Sequence, residues 1–75
     1  MIRGVMLVKA GYAAALEICQ AALKIKGVVD AYPVFGRFDV VIFIKAEDVK
    51  GLKKTALKIL SLKGVRSTET LLEAA

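Results

Sequence analysis

The chain has 75 residues, 57% of them apolar, and a formal net charge of +5. That length supports one domain, residues 1–75, near the lower limit for a self-sufficient core. A single cysteine and no histidine exclude an internal disulfide and remove the commonest side chain of metal sites and acid–base catalysis, so neither a metal nor a cofactor is expected.

In chain order, the first strand runs from about Ile2 to Lys9, with Arg3, Val5, Leu7 and Lys9 on one face and Ile2, Gly4, Met6 and Val8 on the other. Ala10-Gly11-Tyr12 turns into a helix from about Ala13 to Lys26. Its Ala15, Ile18, Ala22 and Ile25 form an apolar row flanked by Leu16, Cys19 and Leu23. Gly27 suits the end of that helix. A second strand covers about Val28 to Phe35. Pro33 cannot donate to a ladder, which assigns this strand to a sheet edge. Gly36-Arg37 supplies a tight turn into a third strand, Phe38 to Ala46. Asp48 is a suitable N-cap for a helix from about Val49 to Leu62, with Val49, Leu52, Ala56, Ile59 and Leu60 as its core face. Gly64 ends it, and a fourth strand runs from about Val65 to Leu72.

The pattern repeats. Leu23-Lys24-Ile25-Lys26-Gly27-Val28 is answered by Leu60-Ser61-Leu62-Lys63-Gly64-Val65, and a strand and a helix precede each. Two such units give an α+β, ferredoxin-like βαββαβ domain. Right-handed crossovers predict an antiparallel sheet in the order 4-1-3-2 with both helices on one face. The unbroken apolar row Phe38, Val40, Ile42, Ile44 belongs under the helices. The opposite row has an apolar centre, Val5, Leu7, Val41 and Phe43, with Arg3, Lys9, Asp39 and Lys45 at its ends. A dry centre with a polar rim is interface anatomy. Leaving such side chains in water forgoes roughly 1.5–3 kcal/mol each. A second copy is the simplest cover, so a dimer through this open face is expected.

Several functional classes lose support. The longest apolar runs fall far short of the ~20 residues of a membrane span. Lys9 and Gly11 interrupt any signal-peptide core. No membrane association and a cytoplasmic location are expected. Lys50, Lys53, Lys54 and Lys58 crowd one helix, but without aromatic or arginine neighbours they read as a solvated face. An RNA-binding sheet would want exposed aromatics on the central strands, where only Phe43 stands among aliphatics. Cys19, alone on an apolar helix, reads as a small buried hydrophobe.

The segment with most chemical content is Gly36-Arg37-Phe38-Asp39. Gly36 permits a positive φ and a close backbone approach, and Asp39 is an acid at the start of an apolar strand. From spacing alone, an ordinary hairpin with a structural aspartate explains both residues. The Gly11-Tyr12 turn and Gly64-Val65 should share that end of the sheet. Thr68 and Thr70, alternating with Ser67 and Glu69, could add hydroxyl contacts or be plain edge-strand surface.

The run Gly27-Val28-Val29-Asp30-Ala31-Tyr32-Pro33-Val34-Phe35-Gly36-Arg37-Phe38-Asp39-Val40 resembles the glycine–aromatic–aspartate core of the Lrp/AsnC effector domain, also called the regulation-of-amino-acid-metabolism domain. Ala46-Glu47-Asp48 and Gly64-Val65-Arg66-Ser67-Thr68-Glu69-Thr70 are similar to its later motifs. The resemblance spans essentially the whole chain. It implies a regulatory module rather than an enzyme, paired through its sheets and assembled as an octamer of four dimers. Small amino-acid effectors would lie between dimers near the hairpin. Carried over by position, Gly36 and Asp39 are the first candidate contacts, with Thr68 and Thr70 next. Full-length regulators also carry a helix-turn-helix, for which 75 residues leave no room. The pattern therefore implies a stand-alone effector domain that modulates full-length relatives by co-assembly and reads no operator itself. Two alternatives compete with it. A dimeric α/β-barrel enzyme would need His, Tyr or paired acids in the sheet interface, where Val5, Leu7, Val41 and Phe43 stand. A purely structural assembly domain would bind no effector at all.

Overall fold

The computed structural model describes residues 1–11 and 13–73. Its elements are β1 (Ile2–Ala10), α1 (Ala15–Leu23), β2 (Val28–Pro33), β3 (Val40–Ala46), α2 (Val49–Leu60) and β4 (Val65–Leu72). The strands form one sheet in the order β2-β3-β1-β4, and every neighbouring pair is antiparallel. This is the expected ferredoxin-like βαββαβ topology, with 4-1-3-2 read from the other edge.

The period-two pattern puts Met6, Val8, Val40, Ile42 and Ile44 on the helix side, each at most 1% exposed. Ile18, Cys19 and Ala22 of α1 and Leu52 and Ile59 of α2 close over them. Burial pushes the Cys19 thiol pKa up by desolvation, partly offset by a backbone hydrogen bond.

The helices are shorter and narrower than the pattern predicts. Ala13 has φ 68°, outside the helical region, so α1 begins at Ala15 after Ala14 N donates to Gly11 O. No side chain caps α1, whereas Asp48 Oδ1 accepts from Gly51 N at 2.7 Å at the start of α2. Leu16 (64% exposed) and Leu23 (49%) leave the core, as do Val49 and Leu60 on α2. A helix resting on a flat sheet buries only a narrow stripe, so the flanks of the apolar row stay in solvent. Thr55 is buried instead, its one hydroxyl proton shared between Lys26 O and Gly51 O at 3.4 and 3.3 Å. The strands flanking Gly36 also stop early: β2 ends at Pro33, Phe35 is fully exposed, and β3 starts at Val40 rather than Phe38. No described helix is long and apolar enough to cross a membrane.

Gly64 shows why the repeat ends each half on glycine. Its φ is +95°, and a Cβ there would lie 2.9 Å from Ala14 Cβ. Conformation and space both exclude a side chain, and this close approach lets β4 start against the α1 entry.

Candidate functional site

Two surfaces carry the candidate residues: the end of the sheet beside Gly36, and the open face. At the sheet end the connection from Val34 to Asp39 is wider than a two-residue turn. Val34 N closes it by donating to Asp39 O at 3.0 Å. Gly36 has φ +131°, and nothing lies within 4 Å of where a Cβ would stand. Glycine is required there by conformation alone, and the tip stands clear of the rest of the chain.

Asp39 ties this loop to the central strand. Its N–H donates to Val8 O at 2.8 Å, which continues the β1–β3 ladder beyond Val40. Its Oδ2 accepts from Ala10 N at 2.9 Å, where the β1–β4 register shifts between Lys9 and Ala10. A bulge frees a backbone donor, and the carboxylate takes it. Lys9 Nζ adds a bond to Arg37 O at 3.1 Å. Gly11 N donates to Gly64 O at 3.0 Å, so Gly11 and Gly64 share this end as expected, while Tyr12 lies outside the described residues. Among the described residues the second carboxylate oxygen of Asp39 accepts no side-chain or backbone hydrogen bond from the chain. It is not buried without a partner either. Among the described residues no donor of the chain occupies it.

Thr68 and Thr70 lie elsewhere. They pair with Val8 and Met6, so their side chains stand on the helix side of the β4 edge. Thr68 and Asp39 flank the same residue, Val8, from opposite sides, about two strand spacings or ~10 Å apart. One chain thus brings Gly36 and Asp39 together but not the two threonines with them. Three surface depressions of the chain are lined by other side chains.

On the open face, Val5 pairs with Phe43 and Leu7 with Val41, and all four are half-buried in the single chain. Two residues that the pattern reading omits extend this patch. Tyr32 pairs with Val41, and its ring lies 5.8 Å from that of Phe43. Leu71 pairs with Val5 and is 50% exposed. Alternation along β4 is enough to find Leu71. On β2 a register shift between Val28 and Asp30 inverts the alternation, so Tyr32 cannot be placed by counting from Val28. Among the described residues no group of three or more His, Cys, Asp or Glu could hold a metal.

The chain matches a known family. Residues 4–73 match the model of the Lrp/AsnC ligand binding domain, and the chain belongs to that family. The comparison with solved structures places it beside a Thermus thermophilus protein at 32% identity and a TM-score of 0.93, covering 100% of this chain and 95% of that one. Escherichia coli AsnC is similar in fold at 21% identity and a TM-score of 0.83, and the match covers 99% of this chain and 51% of AsnC. A Neisseria meningitidis transcriptional regulator, solved as a complex with L-Met, matches at 19% identity and a TM-score of 0.82 over 99% of this chain and 50% of that one. A search of curated proteins gave no sequence match.

Proposed function

We propose that this chain is an amino-acid effector-binding and assembly module for transcription regulation. The observation that carries the reading is the family match over residues 4–73. The bound L-Met of the Neisseria regulator supports an amino acid as the ligand class. An amino acid offers one ammonium and one carboxylate. The free oxygen of Asp39 takes the ammonium by a charge-assisted hydrogen bond. Backbone N–H groups at the Gly36 loop take the carboxylate, since no side chain stands in the way.

A loop this open encloses nothing by itself. Neighbouring copies supply the rest of the wall, and Thr68 and Thr70 contribute from an adjacent chain. Dimers form through the Val5, Leu7, Val41 and Phe43 face and assemble further, up to a ring of four dimers. Full-length relatives, of which AsnC is about twice as long as the match, are suitable co-assembly partners. Ligand binding and assembly are then coupled, each shifting the other by the same factor.

The test is calorimetric titration of a panel of amino acids into the wild-type chain, Asp39→Ala and Asp39→Asn, with solution mass measured alongside. Asparagine keeps an oxygen for Ala10 N but loses the charge, which separates ligand contact from loop support. Binding to wild type that both variants lose supports the reading. Equal binding by Asp39→Asn removes Asp39 from the site. No binding at millimolar concentration leaves a purely structural assembly domain as the better account.

A further inference from the structure

Much of the positive charge of this chain lies along α2, which starts at the end of the sheet opposite Gly36 and runs back toward Gly64. Lys50, Lys53, Lys54 and Lys58 are exposed along α2, and the fold adds Lys26 and Lys45 from distant parts of the chain. Lys45 N donates to Gly27 O at 2.9 Å, which holds the end of β3 against the turn that carries Lys26. The Thr55 hydroxyl donates to Lys26 O and holds α2 against the same turn. A depression is lined by Lys26, Lys45, Lys54 and Lys58, and Lys54 also borders a second, shallower one with Lys50 and Lys53.

Glu47 and Asp48 are the acids of this region, and Asp48 Oδ1 already serves Gly51 N. Six lysines against two acids leave a local excess of four positive charges out of a net +5. Among the described residues these lysines donate no side-chain hydrogen bond within the chain. Like charges at i, i+4 oppose helix formation, and only Lys58, in the last turn of α2, gains from the helix dipole.

We propose that this lysine band is a docking surface for the phosphate backbone of duplex nucleic acid. Charge complementarity names the occupant. Lysines at i, i+4 rise ~6 Å per step along α2 and so form an extended row of point charges suited to a chain of anions. The α2 row contains no arginine, so it makes no bidentate contact to guanine and reads no sequence. It contains no aromatic ring, so it offers unpaired bases no stacking platform and favours duplex over single strand. Helix α2 lies on the side away from the open sheet face, so a sheet-to-sheet dimer leaves its four lysines uncovered, whereas Lys45 stands at the rim of that face beside Arg3. The proposal is independent of the effector reading, because none of these lysines belongs to the site assigned to the effector.

The experiment is fluorescence anisotropy with the full chain, two duplexes of unrelated sequence and a single strand of equal length, over a series of salt concentrations. Both duplexes should bind alike, more tightly than the single strand, with log affinity falling linearly with log salt. Lys54→Ala/Lys58→Ala should weaken binding roughly tenfold at low salt and reduce the salt slope by about 2. Lys63→Ala/Arg66→Ala removes the same net charge at the other end of the sheet and should leave affinity within about twofold. Equal losses in the two double variants, which are checked for native circular dichroism, would show that net charge alone drives binding and overturn the band. Preference for single strand, discrimination between the duplexes, or no binding at low salt would overturn the proposal as well.

Discussion

Val41 and Ile42 are neighbours on β3 and differ by one methylene, yet they belong to different surfaces. Ile42 is fully buried beneath the helices, while Val41 is half-buried on the open side of the sheet. The same contrast runs along β1, where Met6 and Val8 are sealed and Val5 and Leu7 are not. A four-stranded sheet with helices on one side has only enough helix to cover that side. An apolar row on the other side is only half-buried in the single chain, which leaves it open to the association proposed above.

The comparison breaks most easily at Ile42. Ile42→Ala should cost about 2–5 kcal/mol of folding stability through lost burial and a residual cavity, measured by chemical denaturation. A cost under about 1 kcal/mol would mean that the helix face is not the sole core of the chain.

Val41→Asp tests the other side. It should cost the fold less than Ile42→Ala and act on assembly instead, because a charge placed in a dry interface lacks a partner. The measurement is solution mass with circular dichroism as the check on folding. A soluble Val41→Asp protein of unchanged dimeric mass would place the interface elsewhere, and Leu7→Lys should agree with it.

Asp39 is the sharper case, since its place in the sequence row groups it with Val41 and Phe43 while its carboxylate supports the backbone. Asp39→Ala should cost about 1–3 kcal/mol, because Ala10 N loses its acceptor in a partly buried setting. Asp39→Asn should recover most of that loss. Thermal melts of the two variants decide between them, and equal melting of Asp39→Ala and wild type would remove the structural role.

The smallest effect concerns Cys19, on the helix that seals the buried face. Its thiol pKa is raised in the folded chain, so the neutral form is favoured there. The stability this contributes is fully present below the unfolded thiol value of about 8.5 and is lost as pH rises through the higher folded value. Stability should therefore decline slightly in the alkaline range, and Cys19→Ala should flatten that decline. An identical pH profile in the variant would show that the thiol titrates alike in both states.

Residue order alone determined the topology. Period-two runs at Val5–Lys9 and Val40–Ala46, helical spacing through Ile18 and Ala22, and Pro33 at an edge leave few other arrangements, because alternation and chain handedness are local properties. The bounds of β4 and the capping role of Asp48 were legible for the same reason. Tertiary structure decided which flank of each helix is dry, since Leu16 and Leu60 are as apolar as the residues that pack, and only the narrow stripe of each helix that meets the sheet is covered. It also decided the partners of Asp39, because a bulge at Lys9 and Ala10 leaves no mark in the sequence pattern. The convergence of Lys26 and Lys45 on α2 is likewise a product of strand pairing across distant segments. Such long-range contacts depend on how whole elements pack, so a list of residues does not contain them.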